Sequence, residues 1–296
     1  MYHEAVMVNE ALEGLSVKAG GLYVDATFGG GGHSRAILKK LGSGRLVAFD
    51  QDEDAFNNMP NDNRMLLLNH NFKFMKNLLK YHNCMPVDGI LADLGVSSHQ
   101  IDSSHRGFST RFDGPLDMRM NQQATKNAKD VVNSYEADRL ADVFFIYGEL
   151  RDARKVAGII EKARTEKPIE TTGQLTNLLK KFAPRGREMK YFAQVFQALR
   201  IEVNDEMEVL KELLLQSTRV LKKGGRLVVI SYHSLEDRMV KNFIKAGNIE
   251  GKIEKDLYGN YYAPFIQKGK AKKAGEQEIR NNSRARSAIL RTAEKV

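Results

Sequence analysis

The chain is predicted to be an α/β protein, a doubly wound parallel sheet interrupted by an all-helical insertion. Three observations predict it. Short apolar runs alternate with helical stretches over the first hundred or so positions. From about Ser104 to Asp205 the helical period takes over and no run reads as a strand. After Glu206 a helix and then a strand resume the first pattern.

The elements follow in order. Leu22-Tyr23-Val24-Asp25-Ala26 is a strand that runs into Thr27-Phe28 and the turn Gly29-Gly30-Gly31-Gly32. A helix is expected over Ser34 to Leu41, then a turn at Gly42-Ser43-Gly44, then a strand from Arg45 to Asp50: a βαβ unit. A helix at Asp52 to Asn58, a strand at Arg64 to Asn69, a helix at Lys73 to Tyr81 and a strand at Val87 to Asp93 continue the alternation. In the helical block, Leu140, Val143, Phe144 and Tyr147 share one face, as do Leu175, Leu178, Leu179 and Phe182. Met189, Phe192, Phe196 and Leu199 form a third apolar stripe, and Thr171 to Gln174 reads as a helix start. A helix from Glu206 to Leu221 is expected to stop at Lys222-Lys223-Gly224-Gly225, before the strand Arg226 to Tyr232. The expected organisation is therefore a core over 1–103, an insertion over 104–205, and the rest of the core with a basic tail over 206–296.

Composition narrows the function. Among 296 residues, 42% are apolar, enough for a buried core. No run approaches the ~18 apolar residues that cross a bilayer, and the first residues do not read as a signal peptide. Cys84 is the single cysteine, which excludes an intrachain disulfide and fits a reducing, cytoplasmic setting. No His pair has metal-ligand spacing, so no metal is expected. The net charge is +9, and Lys252 to Val296 holds 11 Lys and Arg against 5 Asp and Glu. Such a tail suits a polyanion, or is a solvated surface tail.

In a doubly wound sheet, ligands bind beyond the carboxyl ends of the strands. Asp25, the four glycines, Asp50 and Asp93 all fall there. Asp50 lies 20 residues after Gly30, the spacing of an acidic residue that binds ribose hydroxyls. A nicotinamide cofactor has the same ribose. However, Ser34 stands where a dinucleotide fingerprint has glycine, and the nearby Asp25 suits a cationic amine and sulfonium better than a pyrophosphate.

Several motifs then carry a specific resemblance. Asp25-Ala-Thr-Phe-Gly-Gly-Gly-Gly-His33-Ser34 resembles the first motif of the bacterial small-subunit ribosomal RNA cytosine-N4 methyltransferase family. Tyr2-His3-Glu4-Ala5-Val6, Asp93-Leu94-Gly95-Val96-Ser97-Ser98, and Arg106-Gly107-Phe108-Ser109 with Asp113 to Met120 are similar to others in it. So are Tyr232-His233-Ser234-Leu235-Glu236-Asp237-Arg238 and Arg284-Ala285-Arg286-Ser287. The similarity runs nearly end to end, with His99 and Ser283 standing where the family commonly has Pro. It implies a Rossmann-like class I methyltransferase sheet with an inserted helical domain for substrate recognition. It also implies S-adenosylmethionine contacts at Gly31, Gly32, His33, Asp50, Phe72, Asp93 and Gln100, and 16S ribosomal RNA or the small subunit as partner.

The chemistry follows from the amine. A cytosine N4 lone pair is delocalised into the ring, so an acceptor for one amine hydrogen is needed. Asp93 is the first choice, Ser97 the second, and His233 a candidate proton relay. Arg119, Arg284 and Arg286 are candidate RNA contacts, with Arg106, Arg111, Arg291 and the 180–187 basic cluster beside them. Arg200, Asn204 and Glu206 are expected to brace the Tyr232 region. Methylation at cytosine C5 would instead need a cysteine nucleophile, and Cys84 precedes the fourth strand, away from the carboxyl ends. Two other readings use the same features: a methyltransferase acting on another nucleic acid, and a non-catalytic RNA-binding assembly factor.

Overall fold

A computed structural model describes residues 5–253, 255–259 and 261–296. Of the motif Tyr2-His3-Glu4-Ala5-Val6, the residues Tyr2, His3 and Glu4 lie outside the described residues. In chain order the first elements are α1 (Val8–Leu15), β1 (Leu22–Asp25), α2 (Gly32–Lys40), β2 (Arg45–Asp50), β3 (Met65–Asn69), α3 (Met75–Tyr81) and β4 (Val87–Asp93). Then come α4 (Ser98–Asp102), α5 (Ala128–Ser134), α6 (Ala137–Ile146), α7 (Ala153–Glu166), α8 (Thr172–Leu179), α9 (Glu188–Asn204) and α10 (Glu206–Val220). The chain ends with β5 (Leu221–Ser231), α11 (Ser234–Ala246), β6 (Phe265–Gln267), β7 (Lys272–Lys273), α12 (Glu276–Asn281) and β8 (Ile289–Lys295).

Two compact units emerge. One comprises residues 1–95 and 207–296, the other residues 96–206. The first holds the sheet, in the order β3-β2-β1-β4-β5-β8-β6, with β7 also paired to β8. The strands from β3 to β5 run parallel, whereas β8 is antiparallel to β5. Because β1 to β5 are covered on both faces, they read as nearly continuous apolar runs. Val24, Ile90 and Val229 face one side, with Leu79, Leu213 and Phe243. Tyr23, Leu91 and Val228 face the other, with Leu15, Ile37 and Leu41.

The second unit has a core of its own, built from Leu140, Phe144, Val156, Ile160, Leu175, Val195 and Leu199. The helical stripes supply it, except that Phe182 lies outside this core and one residue of the third stripe is exposed. Phe192, Phe196 and Leu199 are buried, but Met189, in the first turn of α9, is 62% exposed. The helix start at Thr171 is a capping box. Its Oγ1 accepts from the Gln174 amide at 3.2 Å, and the Gln174 side chain accepts from the Thr171 amide at 3.1 Å.

Several expected boundaries move. The stretch after β2 is a 3-10 helix, Glu53–Asn58, capped by Asp52. The one after β3 opens as a 3-10 turn, Phe72–Phe74, before α3 begins. Helix α10 ends at Val220 without a glycine cap, and Leu221 already pairs with Val87. Gly224, at φ +74°, instead lies inside β5, where the register with β4 shifts. The basic tail is no loose appendage either: β8 is inserted between β5 and β6, with Leu290, Thr292 and Ala293 buried.

Candidate functional site

The parallel strands deliver their carboxyl ends side by side, about 4.8 Å apart from strand to strand. Across the sheet from β3 to β5 those ends bring Phe72, Asp50, the glycine turn with His33, Asp93 and Tyr232. Residues far apart in sequence thus form one row, along the edge where ligands bind in such sheets.

Phe72 lies just beyond β3, and Asn71 Nδ2 donates to Gln51 Oε1 at 2.8 Å, tying this turn to the end of β2. Asp50 binds its surroundings more heavily than its spacing suggested. Its Oδ2 accepts from the Gly29 amide at 2.7 Å and its Oδ1 from the Asp52 amide at 2.9 Å. Each oxygen keeps a second lone pair for a ribose hydroxyl. Burial pushes Asp50 up to about 6; the two amides pull it back, while Asp52 and Asp25 repel its charge.

The glycine turn has steric reasons for two of its residues. Gly31 sits at φ +74°, where a Cβ would lie 2.8 Å from the Phe28 ring. A Cβ on Gly32 would lie 2.6 Å from that of Ala5. Gly31 also caps α2 without a side-chain acceptor, which leaves the helix N-terminus to a ligand. Asp25 does not reach the edge. It is completely buried beneath the turn, where its Oδ2 accepts from Ser34 Oγ at 2.7 Å and its Oδ1 from the Thr27 amide at 3.1 Å. Its role is therefore to hold the turn, and only its charge is felt above.

His33 is also inward-facing, at 5% exposure, with Nε2 2.9 Å from the Val6 carbonyl. A carbonyl only accepts, so Nε2 carries a proton. Nδ1 then faces Asp93 Oδ2 at 3.7 Å. Asp93 itself is reachable, its side chain 21% exposed. Its amide donates to Thr27 Oγ1 at 2.7 Å, and its Oδ1 accepts from the Tyr232 hydroxyl at 2.7 Å. Burial pushes Asp93 up to about 6 against the pull of His33 and Tyr232, and Asp25 and Glu236 add repulsion. Neither Thr27 nor the phenol contact was legible in the sequence. The Tyr232 and Asp93 side chains meet across 139 residues, and only the motif around Tyr232 drew attention to it.

Other expected site residues have different occupations. His233 is the N-cap of α11: its Nδ1 accepts from the Glu236 amide at 3.4 Å, and its Nε2 lies 3.1 Å from Glu236 Oε1. In the structure it caps this helix. Ser97 and Gln100 lie in the second unit and satisfy each other. Ser97 Oγ accepts from the Gln100 amide at 3.2 Å, and Gln100 Oε1 from the Ser97 amide at 3.0 Å, a capping box for α4.

Arg119 is also committed. Its guanidinium grips both oxygens of Asp117 at 2.8 and 2.7 Å and donates to the carbonyls of Gln122 and Ala124. Most of its donors are spent inside the loop, which it locks. Arg106 is 3% exposed and donates to the carbonyls of Arg119 and Met120. Asn204 holds the same loop through the Met118 carbonyl and the Met120 amide, and Arg200 pairs with Glu206. The long signature around Asp113 to Met120 is thus an architectural loop. Arg291 makes a bidentate pair with Asp237, at 2.7 and 2.9 Å.

Arg284 and Arg286 lie in the 3-10 turn Ser283–Ser287, directly before β8. Since β8 runs antiparallel to β5 and starts opposite Ser231, this turn sits at the carboxyl edge. Arg286 is exposed there and Arg284 half-buried.

The model of the MraW methylase family matches residues 1–296. The chain belongs to the MraW methylase family. It is 56% identical over 298 residues to the ribosomal RNA small subunit methyltransferase H of Parabacteroides distasonis, covering 100% of this chain and 98% of the relative. The counterpart from Flavobacterium johnsoniae is 55% identical over 296 residues, covering 100% and 98%. That from Cytophaga hutchinsonii is 53% identical over 300 residues, covering all of both chains. The expected Rossmann-like fold class holds for this family member, its helical block inserted between β4 and β5.

Its carboxyl edge fits S-adenosylmethionine. Asp50 and Asp93, both raised by burial and by mutual repulsion with Asp25, form an anionic row. A ligand bearing an ammonium and a sulfonium relieves that repulsion, whereas a pyrophosphate aggravates it. The cofactor's one anionic group, a carboxylate, suits the uncapped N-terminus of α2.

Proposed function

We propose that this protein transfers the methyl group of S-adenosylmethionine to the N4 amine of a cytidine in 16S ribosomal RNA, acting in the cytoplasm on the small ribosomal subunit. The observation that carries the choice of atom is Asp93. It is a partly exposed carboxylate at the end of the central strand β4, with one oxygen held by Tyr232 and the other turned toward the row of cofactor residues. Cys84, the nucleophile a C5 reaction needs, is fully buried before β4 at the opposite end, with its thiol directed at the His82 carbonyl.

S-adenosylmethionine, when bound, supplies a methyl on a sulfonium, already a good leaving group. The protein's task is then positioning and proton removal. Phe72 covers the adenine, Asp50 takes the ribose hydroxyls, and the Gly31–Gly32 backbone with the start of α2 takes the methionine end. Asp93 accepts one hydrogen of the N4 amine, which turns the nitrogen lone pair toward the methyl and stabilises the positive charge that develops. Gln100 and Ser97, through their capping box, shape the loop that follows. Arg284 and Arg286 contact RNA phosphates, and in the helical unit the exposed Lys180, Lys181, Arg185 and Arg187 are phosphate contacts of their own. The target base is reached single-stranded or flipped out.

Nucleoside mass spectrometry of 16S ribosomal RNA from cells with and without the protein tests the reading. An N4-methylcytidine that depends on the protein is expected. A dependent 5-methylcytidine, or no dependent nucleoside, refutes it.

A further inference from the structure

Tyr232 follows β5, and its place is fixed from two sides. Its amide donates to Glu236 Oε2 at 2.8 Å, so the cap of α11 sets the backbone. Its ring lies over Gly95, at φ +96°, where a Cβ would stand 3.5 Å from Cδ2. The Leu94 amide donates to the Ile230 carbonyl at 2.9 Å, which holds β4 to β5 just past Asp93. The phenol thereby reaches Asp93 Oδ1 at 2.7 Å. Burial and the charge of Asp93 push Tyr232 well above its ordinary range, so the phenol stays protonated and acts as donor. Among the described residues Asp93 Oδ2 accepts no hydrogen bond; His33 Nδ1, at 3.7 Å, is too distant for one.

We propose that Tyr232 is a positioning residue for methyl transfer, clamping Asp93 by Oδ1 so that Oδ2 is the oxygen that receives the proton of the reacting amine. The proposal rests on Asp93 being the acceptor, as argued above. In the step, the amine nitrogen forms its bond to the methyl carbon, and the electron pair of the broken carbon–sulfur bond stays on sulfur as a neutral thioether. The amine proton passes to Asp93 Oδ2, and Tyr232 keeps its own. The clamp also tunes the acceptor, because a hydrogen bond to the carboxylate favours its charged form. The groups that act on Asp93 are His33 from α2, Asp25 from β1, Tyr232 beyond β5 and Glu236 from α11.

The test measures single-turnover rates against pH for the wild type and for Asp93→Asn, Tyr232→Phe and a chain carrying 3-fluorotyrosine at 232. Asp93→Asn should be nearly inactive even at saturating cofactor. Tyr232→Phe should lose about tenfold in rate at neutral pH with the RNA KM little changed, and its acid limb should move up by about one pH unit. The more acidic fluorinated phenol, a stronger donor, should move the limb down. A merely structural tyrosine leaves the limb in place. An unmoved limb in both Tyr232 variants, with Asp93→Asn inactive, overturns the clamp alone; if Tyr232→Phe does not fold, the fluorinated chain decides by itself. A fully active Asp93→Asn protein overturns the acceptor on which the clamp rests.

Discussion

Strand β4 carries an aspartate near each end, and the two live in opposite environments. At the amino end, Asp88 accepts from the Leu22 amide at 2.9 Å and pairs with Lys222. Burial pushes its carboxyl upward, but those partners outweigh it and hold it below the usual range. At the carboxyl end, burial wins: Asp93 is raised to about 6, with His33 and a phenol rather than a lysine beside it. Asp88 is satisfied by its own fold, whereas Asp93 is left to be satisfied by what binds. A raised, half-satisfied carboxylate at the ligand edge marks function more sharply than residue type does.

The largest effect expected from this contrast is on turnover. Asp93→Asn should reduce methyl transfer by at least about a hundredfold, the range for a lost proton acceptor. Asp88→Asn should leave the rate per folded molecule unchanged. Rates normalised to cofactor-binding sites check this, and equal losses in both variants break the comparison.

Next comes cofactor affinity. Asp50→Ala removes two charge-assisted hydrogen bonds to ribose at about 1.5–3 kcal/mol each, so binding should weaken tenfold or more. It also releases the amides of Gly29 and Asp52, and the glycine turn with them. Calorimetry reads the loss, and an unchanged affinity removes Asp50 from the ribose site.

Stability against pH separates the two ends by sign. Asp93 and Asp50 bind protons more tightly folded than unfolded, so the cofactor-free protein should lose stability as pH rises from about 4 to 6, then level off. The loss is at most about 3 kcal/mol for each group at roughly 1.4 kcal/mol per pH unit. Asp88 acts the other way: its contribution is present above about pH 4, its unfolded value, and disappears as pH falls. Urea melts at a series of pH values should show Asp93→Asn flattening the downward slope and Asp88→Asn losing stability mainly at neutral pH.

Smaller effects are expected away from β4. Arg286→Ala should reduce the salt dependence of RNA binding by about one charge unit; an unaltered slope means that this arginine does not face phosphate. Smallest of all is Cys84→Ala. The side chain is buried at the amino end, so the melting temperature should fall slightly while activity stays nearly complete. A folded but inactive Cys84→Ala protein contradicts N4 chemistry.

Much of the site was legible because strand ends can be located by local pattern alone. An apolar run that stops at Asp50 or Asp93, or at a glycine turn, identifies both the strand and its ligand end. The family motifs named the same positions. What the motifs did not carry is the partners that their charged residues hold within the fold. Arg119 and Arg291 are each two-pronged partners of aspartates, at Asp117 and Asp237, and His233 caps a helix. Sequence does not distinguish these uses, because a guanidinium suits carboxylate and phosphate equally well.

The sequence by itself determined the parallel α/β sheet, the helical insertion and the family, since these rest on periodicity, on turn residues and on motifs read in order. Tertiary structure alone decided which polar groups remain available. Asp25 went beneath the glycine turn, β8 took the basic tail into the sheet, and Tyr232 met Asp93. The physical reason is that hydrogen-bond satisfaction is a long-range property. Whether a carboxylate is stabilised or left poised depends on neighbours brought up by other strands, and the residues flanking it in sequence do not carry that information.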